Sequence, residues 1–264
     1  MNFGLVIVGD EILSGKRQDK HLPRVIELLG ARGLALAWAR YVGDERERIA
    51  AVLRDAFAGG DAVFCCGGIG ATPDDHTRQA AAAALGVPLE LHPRARDLIV
   101  ERMRDVAREQ SLPFEPERPD NLHRLNMGVF PRGAQIIPNP YNKIPGFSVG
   151  DVHFVPGFPV MAHPMIEWLL DTHYARLHGS QRRVERSVIV TGSMEATLTP
   201  LMEQIEAAHP GVKVFSLPSV DHPRYGRHIE LGVKGEAQAT QAAFAELKRG
   251  LAALGATVDA ELVR

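Results

Sequence analysis

Cysteine is almost absent. The chain has 2, and they are neighbours, Cys65 and Cys66, inside the apolar run at 62–66. Adjacent residues on a strand point to opposite faces, which argues against a disulfide between them. Both are expected in the core, where an apolar strand raises a thiol pKa and leaves it inert. A disulfide-free chain fits a reducing, cytoplasmic setting. Long hydrophobic runs are also missing: none approaches the ~20 residues of a membrane span. The apolar start, Phe3 to Val8, meets Asp10 and Glu11 at once and has no basic flank or cleavage pattern, so no signal peptide is expected. Charge of one sign is missing too. Lys+Arg number 30 against 32 Asp+Glu, net −2, which excludes a strongly basic nucleic-acid coat.

Several reaction signatures are absent. The 11 histidines show no HxxxH or HxH spacing with acidic partners, so zinc hydrolase chemistry is not expected. There is no Gly-x-Ser-x-Gly elbow. Gly67, Gly68 and Gly70 lack the third offset of a dinucleotide fingerprint, and no Lys-Ser/Thr pair completes a phosphate loop. Internal repeats and low-complexity tracts are missing as well. What is present is an ordinary globular composition: 264 residues, 45% hydrophobic, enough for a real core and for two domains or one large one.

The first two-thirds alternate short apolar runs with amphipathic segments. Strands are predicted at 3–8, 34–42 and 62–66, helices at 20–32, 44–58 and 75–85. This β-α-β-α-β-α order predicts a parallel sheet with helices on both faces, and continuous apolar strands suit burial on both sides. A helix follows at 94–110, then a Pro- and charge-rich excursion at 111–126, strands at 135–138 and 149–155, and a closing helix at 159–175. After a compositional break at 177–183 the pattern becomes βαββαβ, the order of a ferredoxin-like unit. The expected fold class is α/β: a three-layer, mostly parallel sheet over residues 1–178, with a smaller α+β domain over 184–264.

Three glycine-bearing loops fall at C-terminal ends of predicted strands, the edge where open α/β sheets bind ligands. They are Gly9-Asp10-Glu11-Ile12-Leu13-Ser14-Gly15, leading to Gln18-Asp19-Lys20; Val42-Gly43-Asp44-Glu45; and Gly67-Gly68-Ile69-Gly70-Ala71-Thr72-Pro73-Asp74-Asp75-His76-Thr77. In the third, glycines admit close ligand approach, and Thr72 is placed to cap a helix starting near Pro73. Such a helix start suits phosphate. Asp74 and Asp75 would repel it unless a cation intervenes. That leaves two readings open: a phosphate ligand with a divalent metal, or carboxylates that merely complement the helix dipole.

These loops resemble those of the MoaB/MogA-type molybdopterin-binding domain, in the version found at the N terminus of CinA, the competence/damage-inducible protein. Phe130-Pro131-Arg132-Gly133-Ala134, Pro138-Asn139-Pro140, Pro145-Gly146-Phe147 and Val155-Pro156-Gly157-Phe158-Pro159 extend the match across roughly residues 3–170. Residues 184–264 resemble the middle domain of CinA more loosely. The amidohydrolase domain of full-length CinA has no counterpart in this sequence, so deamidation of nicotinamide mononucleotide is not expected. The resemblance implies one of two activities: adenylylation of molybdopterin with ATP and Mg²⁺, or metal-dependent cleavage of the pyrophosphate of ADP-ribose or FAD. It implies Asp44 and Asp75 as catalytic and metal-holding residues, with Mg²⁺, Mn²⁺ or Co²⁺. It also implies ligand contacts from Gly9, Asp10, Glu11, Ser14, Gly15, Asp19, Gly67, Gly68, Gly70, Thr72, Asp74, Thr77, Asn139, Lys143, Pro156 and Gly157. Family members assemble as dimers or trimers, so a homo-oligomer is expected.

The chain departs from the family pattern at identifiable places. Asn142-Lys143-Ile144 stands where Gly-Thr-Ala is usual, Asn126-Met127 replaces Lys-Gln, Val160-Met161 replaces Ser-Glu, and His76 replaces an apolar residue. Lys143 is either a solvated loop lysine or a phosphate contact that partly substitutes for a metal. His76 is either a surface histidine or a softer-metal ligand beside Asp75. Nucleic-acid binding by the small domain is not expected. Its charge is balanced, it lacks paired stacking aromatics, and its Gly232–Gly235 GxxG lies between a strand and a helix. Arg182, Arg183 and Arg186 form its one basic cluster. Three hypotheses follow: a dinucleotide pyrophosphatase, a molybdopterin-binding or adenylylating protein, and a non-catalytic binding or assembly protein.

Overall fold

The computed structural model describes residues 1–180 and 184–263, and the chain divides into two compact units after Ser180. Arg182 and Arg183 of the basic cluster lie outside the described residues.

In the first unit the wholly apolar stretches become the central strands. β1 (Phe3–Val8) and β3 (Ala62–Cys66) are buried along their whole length. Between them come a single helical turn, α1 (Asp10–Leu13), then α2 (His21–Ala31), β2 (Leu36–Val42) and α3 (Arg46–Gly59). The chain continues through α4 (Thr77–Leu85), β4 (Leu89–Leu91), α5 (Pro93–Glu109) and α6 (Pro119–Arg124). A short 3₁₀ turn at Leu125–Gly128 leads to β5 (Val129–Pro131), β6 (Gln135–Ile137), β7 (Gly146–Val149), β8 (Val152–Val155) and α7 (Pro159–Thr172). Pro159 opens α7, where a missing N–H costs nothing.

The main sheet runs β2-β1-β3-β8-β7-β6. β2, β1, β3 and β8 pair in parallel, while β7 and β6 add antiparallel edges. One face packs Val25, Leu28 and Leu29 of α2 with Met165, Ile166 and Leu169 of α7. The other packs Ile49 and Leu53 of α3, Ala80 and Ala81 of α4, and Ala95 of α5. The architecture is α/β, three layers with a mostly parallel sheet. Burying a leucine or isoleucine in such a layer contributes roughly 1.5–3 kcal/mol, which is why these periodic positions set the helix orientations.

Three sequence expectations are corrected. The stretch 149–155 is not one strand but the β7–β8 hairpin, turned at Gly150 with φ +57°. The excursion at 111–126 contains α6. The helix expected from Asp75 begins at Thr77, and its cap position, His76, makes no side-chain cap bond. Thr72 therefore caps nothing. Its N–H and hydroxyl instead donate to Asp75, which closes the preceding loop on itself.

The second unit follows the order β9 (Val184–Thr191), α8 (Glu195–Ala208), β10 (Lys213–His222), β11 (Gly226–Gly235), α9 (Ala237–Ala253), β12 (Thr257–Val263). The sheet order is β10-β11-β9-β12, antiparallel throughout. Leu198, Leu201 and Ile205 of α8 pack with Phe244, Leu247 and Leu251 of α9 over Val188, Val190 and Leu231. Gly232 and Gly235 lie within β11, so the GxxG is strand rather than a loop clamp.

Candidate functional site

The parallel strands β1, β2, β3 and β8 end side by side, and their following loops surround a cavity of about 400 Å³. That volume lies in the range of small-molecule sites. Each loop is tied to its neighbour by backbone: Gly9 N–H donates to Val42 O at 3.0 Å and Gly67 N–H to Val155 O at 3.0 Å.

The third loop shows why glycines are needed. Gly67 has φ +107°, and a Cβ there would run into the Val8 carbonyl oxygen. Gly68 has φ +67°, and a Cβ there would meet the Thr77 hydroxyl. Thr77, fully buried, pins the turn: its N–H donates to Gly68 O at 2.9 Å and its Oγ1 to Gly67 O at 2.9 Å. Among the described residues, the N–H groups of Gly68, Ile69, Gly70 and Ala71 donate to no protein group. Successive open N–H groups of this kind form an anion-binding concavity.

The acidic groups surround this backbone. Asp10 and Asp44 exchange bonds: Asp10 N–H donates to Asp44 Oδ2 at 2.9 Å, and Asp44 N–H to Asp10 Oδ1 at 3.2 Å. Burial pushes the Asp44 carboxyl above the usual range, the Asp10 N–H opposes that, and the charges of Asp10, Glu11 and Asp74 push it up again. Asp75 Oδ2 accepts from Thr72 N–H at 2.8 Å and Thr72 Oγ1 at 2.5 Å. Beneath the loop, buried Arg78 donates to the carbonyls of Gly70, Asn126 and Val129.

The cavity brings together Gly9, Glu11, Asp44, Gly67, Gly68 and Gly70, and also Thr72, Asp74, Asp75, Pro156 and Gly157. It leaves out the other expected ligand residues. Asp10 clasps Asp44 from behind. Ser14 and Gly15 end α1 away from the lining. Asp19 starts α2, accepting from His21 N–H at 2.7 Å and Leu22 N–H at 3.1 Å, and takes the Tyr41 hydroxyl at 2.8 Å. Asn139 is buried and folds its own turn, accepting from Tyr141 N–H at 3.0 Å and donating to Ile144 O at 2.9 Å. Lys143 is not at the cavity: its Nζ donates to Glu101 and Asp105 of α5, each at 2.6 Å. The phosphate role weighed for Lys143 gives way to a loop-to-helix tether, because two carboxylates one helical turn apart already hold the ammonium.

Residues that sequence reasoning missed complete the wall. Arg17 is its one cation among the described residues, and Phe158, Met127 and Met161 give it an apolar side. Phe158 and Met161 sat in a motif already singled out, beside the glycine at 157. Arg17 followed the first glycine loop, but nothing in the sequence aimed it inward. Behind Gly157, buried His21 donates from Nε2 to its carbonyl at 3.0 Å, and burial lowers the imidazole pKa against the opposing effect of that bond and of Asp19.

Among the described residues no three His, Cys, Asp or Glu side chains gather as a cage for a metal ion. Cys65 and Cys66 are buried, and burial pushes the Cys65 thiol up to about 12. His76 is outside the lining. Asp44 and Asp75 both line the cavity, and carboxylate oxygens are the donor type that a hard cation such as Mg²⁺ takes, one or two from protein with phosphate and water completing the shell.

An open parallel sheet with a glycine-lined, acidic cavity at its C-terminal edge defines a small-molecule-binding α/β domain. The sequence profile described as "Probable molybdopterin binding domain" matches residues 4–176, so the chain belongs to that family, in its CinA-like branch. A CinA-like protein of Anaeromyxobacter dehalogenans (strain 2CP-C) is 32% identical over 220 residues, covering 81% of this chain and 51% of the relative. The chain thus spans about half the length of the curated CinA-like relatives it matches. A protein of Pyrobaculum arsenaticum is 30% identical over 246 residues, 89% of this chain and 88% of its own. Among solved structures, the CinA protein of Thermoplasma acidophilum, titled as of unknown function, matches with TM-score 0.54 and 25% identity, covering 65% of this chain and 98% of that one. No helix among the described residues is long and apolar enough to cross a membrane.

Proposed function

We propose that the first unit hydrolyses the pyrophosphate of an adenine dinucleotide, ADP-ribose or FAD, with a divalent cation. One observation carries the reading: residues 68–71, whose N–H groups donate to no protein group among the described residues, line the same cavity as Glu11, Asp44, Asp74 and Asp75. The N–H run suits phosphate oxygens, whereas the carboxylates suit phosphate only when a cation lies between them.

The chain's own groups then divide the work. The N–H run and Arg17 hold the phosphate oxygens as negative charge redistributes during transfer. Asp44 accepts a proton from the attacking water, a role worth about 10²–10⁴-fold, and a carboxyl raised by burial is a better base than an exposed one. Water adds to the α-phosphorus, the bridging P–O bond breaks, and AMP leaves with the other phosphate ester. Phe158 and the two methionines supply an apolar surface for the adenine ring. A divalent cation held by Asp75, with Asp44 nearby, would neutralise the diphosphate and stabilise the transferring group. Chromatographic detection of AMP from ADP-ribose and FAD tests the reading. Asp44→Asn, which keeps the acceptor for Asp10 N–H, should lose at least tenfold in rate.

The family match favours a second reading, binding or adenylylation of molybdopterin in the same cavity. Pterin fluorescence co-purifying with the protein, without AMP release, would select it. The functional assembly is proposed to be a homo-oligomer.

A further inference from the structure

A second cavity, of about 370 Å³, opens on the far side of the 71–75 loop. Both cavities are lined by Ala71, Thr72 and Asp75, so this loop is a ridge between them. The two walls differ chemically. The first carries four carboxylates and an aromatic ring. The second carries His76, Arg78, Gln79, His123 and Asn126. Its one lining carboxylate among the described residues, Asp75, is turned onto Thr72.

Arg78 is the unusual member. It is 4% exposed, yet no carboxylate lies within ion-pair reach of it among the described residues. Among the described residues its guanidinium hydrogen-bonds only to carbonyl oxygens, and its Nε has no hydrogen-bond partner. Asp75 acts on this cation only from beyond ion-pair reach, and an anion in the adjoining cavity would further offset the cost of burying it. His123 donates from Nε2 to Ala71 O at 2.7 Å, which sets its ring along the same ridge.

We infer that this second cavity is a separate subsite for a phosphorylated sugar, held through its phosphate by the Arg78 side and through its hydroxyls by His76, Gln79 and Asn126. Joined across the Thr72–Asp75 ridge, the two cavities hold the two halves of one substrate, with the bond to be cleaved at the ridge. That joining rests on the nucleotide reading above, whereas the second subsite itself does not.

The test uses ribose 5-phosphate as probe and the side-chain NMR signals of His76 and His123 as readout. In the wild-type chain, ribose 5-phosphate shifts both imidazole signals, and saturating AMP leaves the shifts in place. His76→Ala and Asn126→Ala each weaken the probe's binding at least fivefold, read at His123, and leave AMP affinity within twofold. Absence of shifts, or displacement of the probe by AMP, overturns the subsite. Shifts that persist in a chain that neither binds AMP nor releases it from ADP-ribose keep the subsite and overturn the nucleotide reading instead.

Discussion

Asp10 and Asp44 each accept the other's backbone N–H, at 3.2 and 2.9 Å, and so lock the loop after β1 to the loop after β2. The clasp fixes the Asp44 carboxylate beside Glu11 and Asp74, and their charges hold it above the ordinary carboxylate range once burial has raised it. Asp10→Ala should loosen the clasp, lowering stability by ~1 kcal/mol in urea unfolding. Activity should fall with it, whereas Asp10→Asn, which keeps the acceptor oxygen, should retain most of both.

The raised Asp44 pKa has a definite sign. A carboxyl easier to protonate in the folded state than in the unfolded one adds stability as pH falls through its folded pKa and subtracts it at higher pH. A divalent cation offsets the same repulsion in the ionised form. The stabilisation of the melting temperature by Mg²⁺ or Mn²⁺ should therefore grow from pH 4 to pH 7 and shrink in Asp44→Asn. Thermal melts with and without metal across that range check both trends.

Lys143 joins the loop before β7 to Glu101 and Asp105 on α5, and its side chain is 42% exposed. Exposed pairs contribute at most about 1 kcal/mol. Lys143→Ala should lower stability by no more than that and leave ligand affinity and metal dependence unchanged. Because Lys143 has φ +66°, Lys143→Gly should recover part of the loss by relieving backbone strain. Equilibrium unfolding and ligand titration of the two variants separate these effects.

Gly67→Ala should fail differently. Its φ of +107° is unsuited to a side chain, and the added Cβ meets the Val8 carbonyl oxygen. We expect a loss of roughly 2–4 kcal/mol together with collapse of ligand binding. Thr77→Val, which removes the buried bond to the Gly67 carbonyl, should cost about 1–2 kcal/mol without a clash.

The sheet was legible because its central strands are unmixed. Phe3–Val8 and Ala62–Cys66 are apolar at every position, as burial on both faces demands. The glycine loops were legible for the same local reason: 67 and 68 need a backbone that only glycine adopts readily. Contacts set by tertiary packing were not legible. Lys143 finds Asp105 and Glu101 at separations of 38 and 42 residues, and Asp10 finds Asp44 at 34, distances over which local pattern carries no signal. The start of α4 was misread because Thr72-Pro73-Asp74-Asp75 has the composition of a helix start, yet Thr72 donates to Asp75 and closes a turn instead. Arg17 and Phe158 needed the parallel strand ends to be aligned before either could be placed on one cavity.

The central claim is metal-dependent hydrolysis of a pyrophosphate held at the open N–H run, with the divalent cation at the cavity carboxylates. We would measure AMP released from ADP-ribose and FAD by the wild-type chain and by Asp75→Asn, in Mg²⁺, Mn²⁺, Co²⁺ and EDTA. The account predicts release from the wild type that needs the metal, is abolished by EDTA, and falls at least a hundredfold in Asp75→Asn. Release that is indifferent to EDTA and to the substitution, or no release from a folded wild type in any metal, would contradict it.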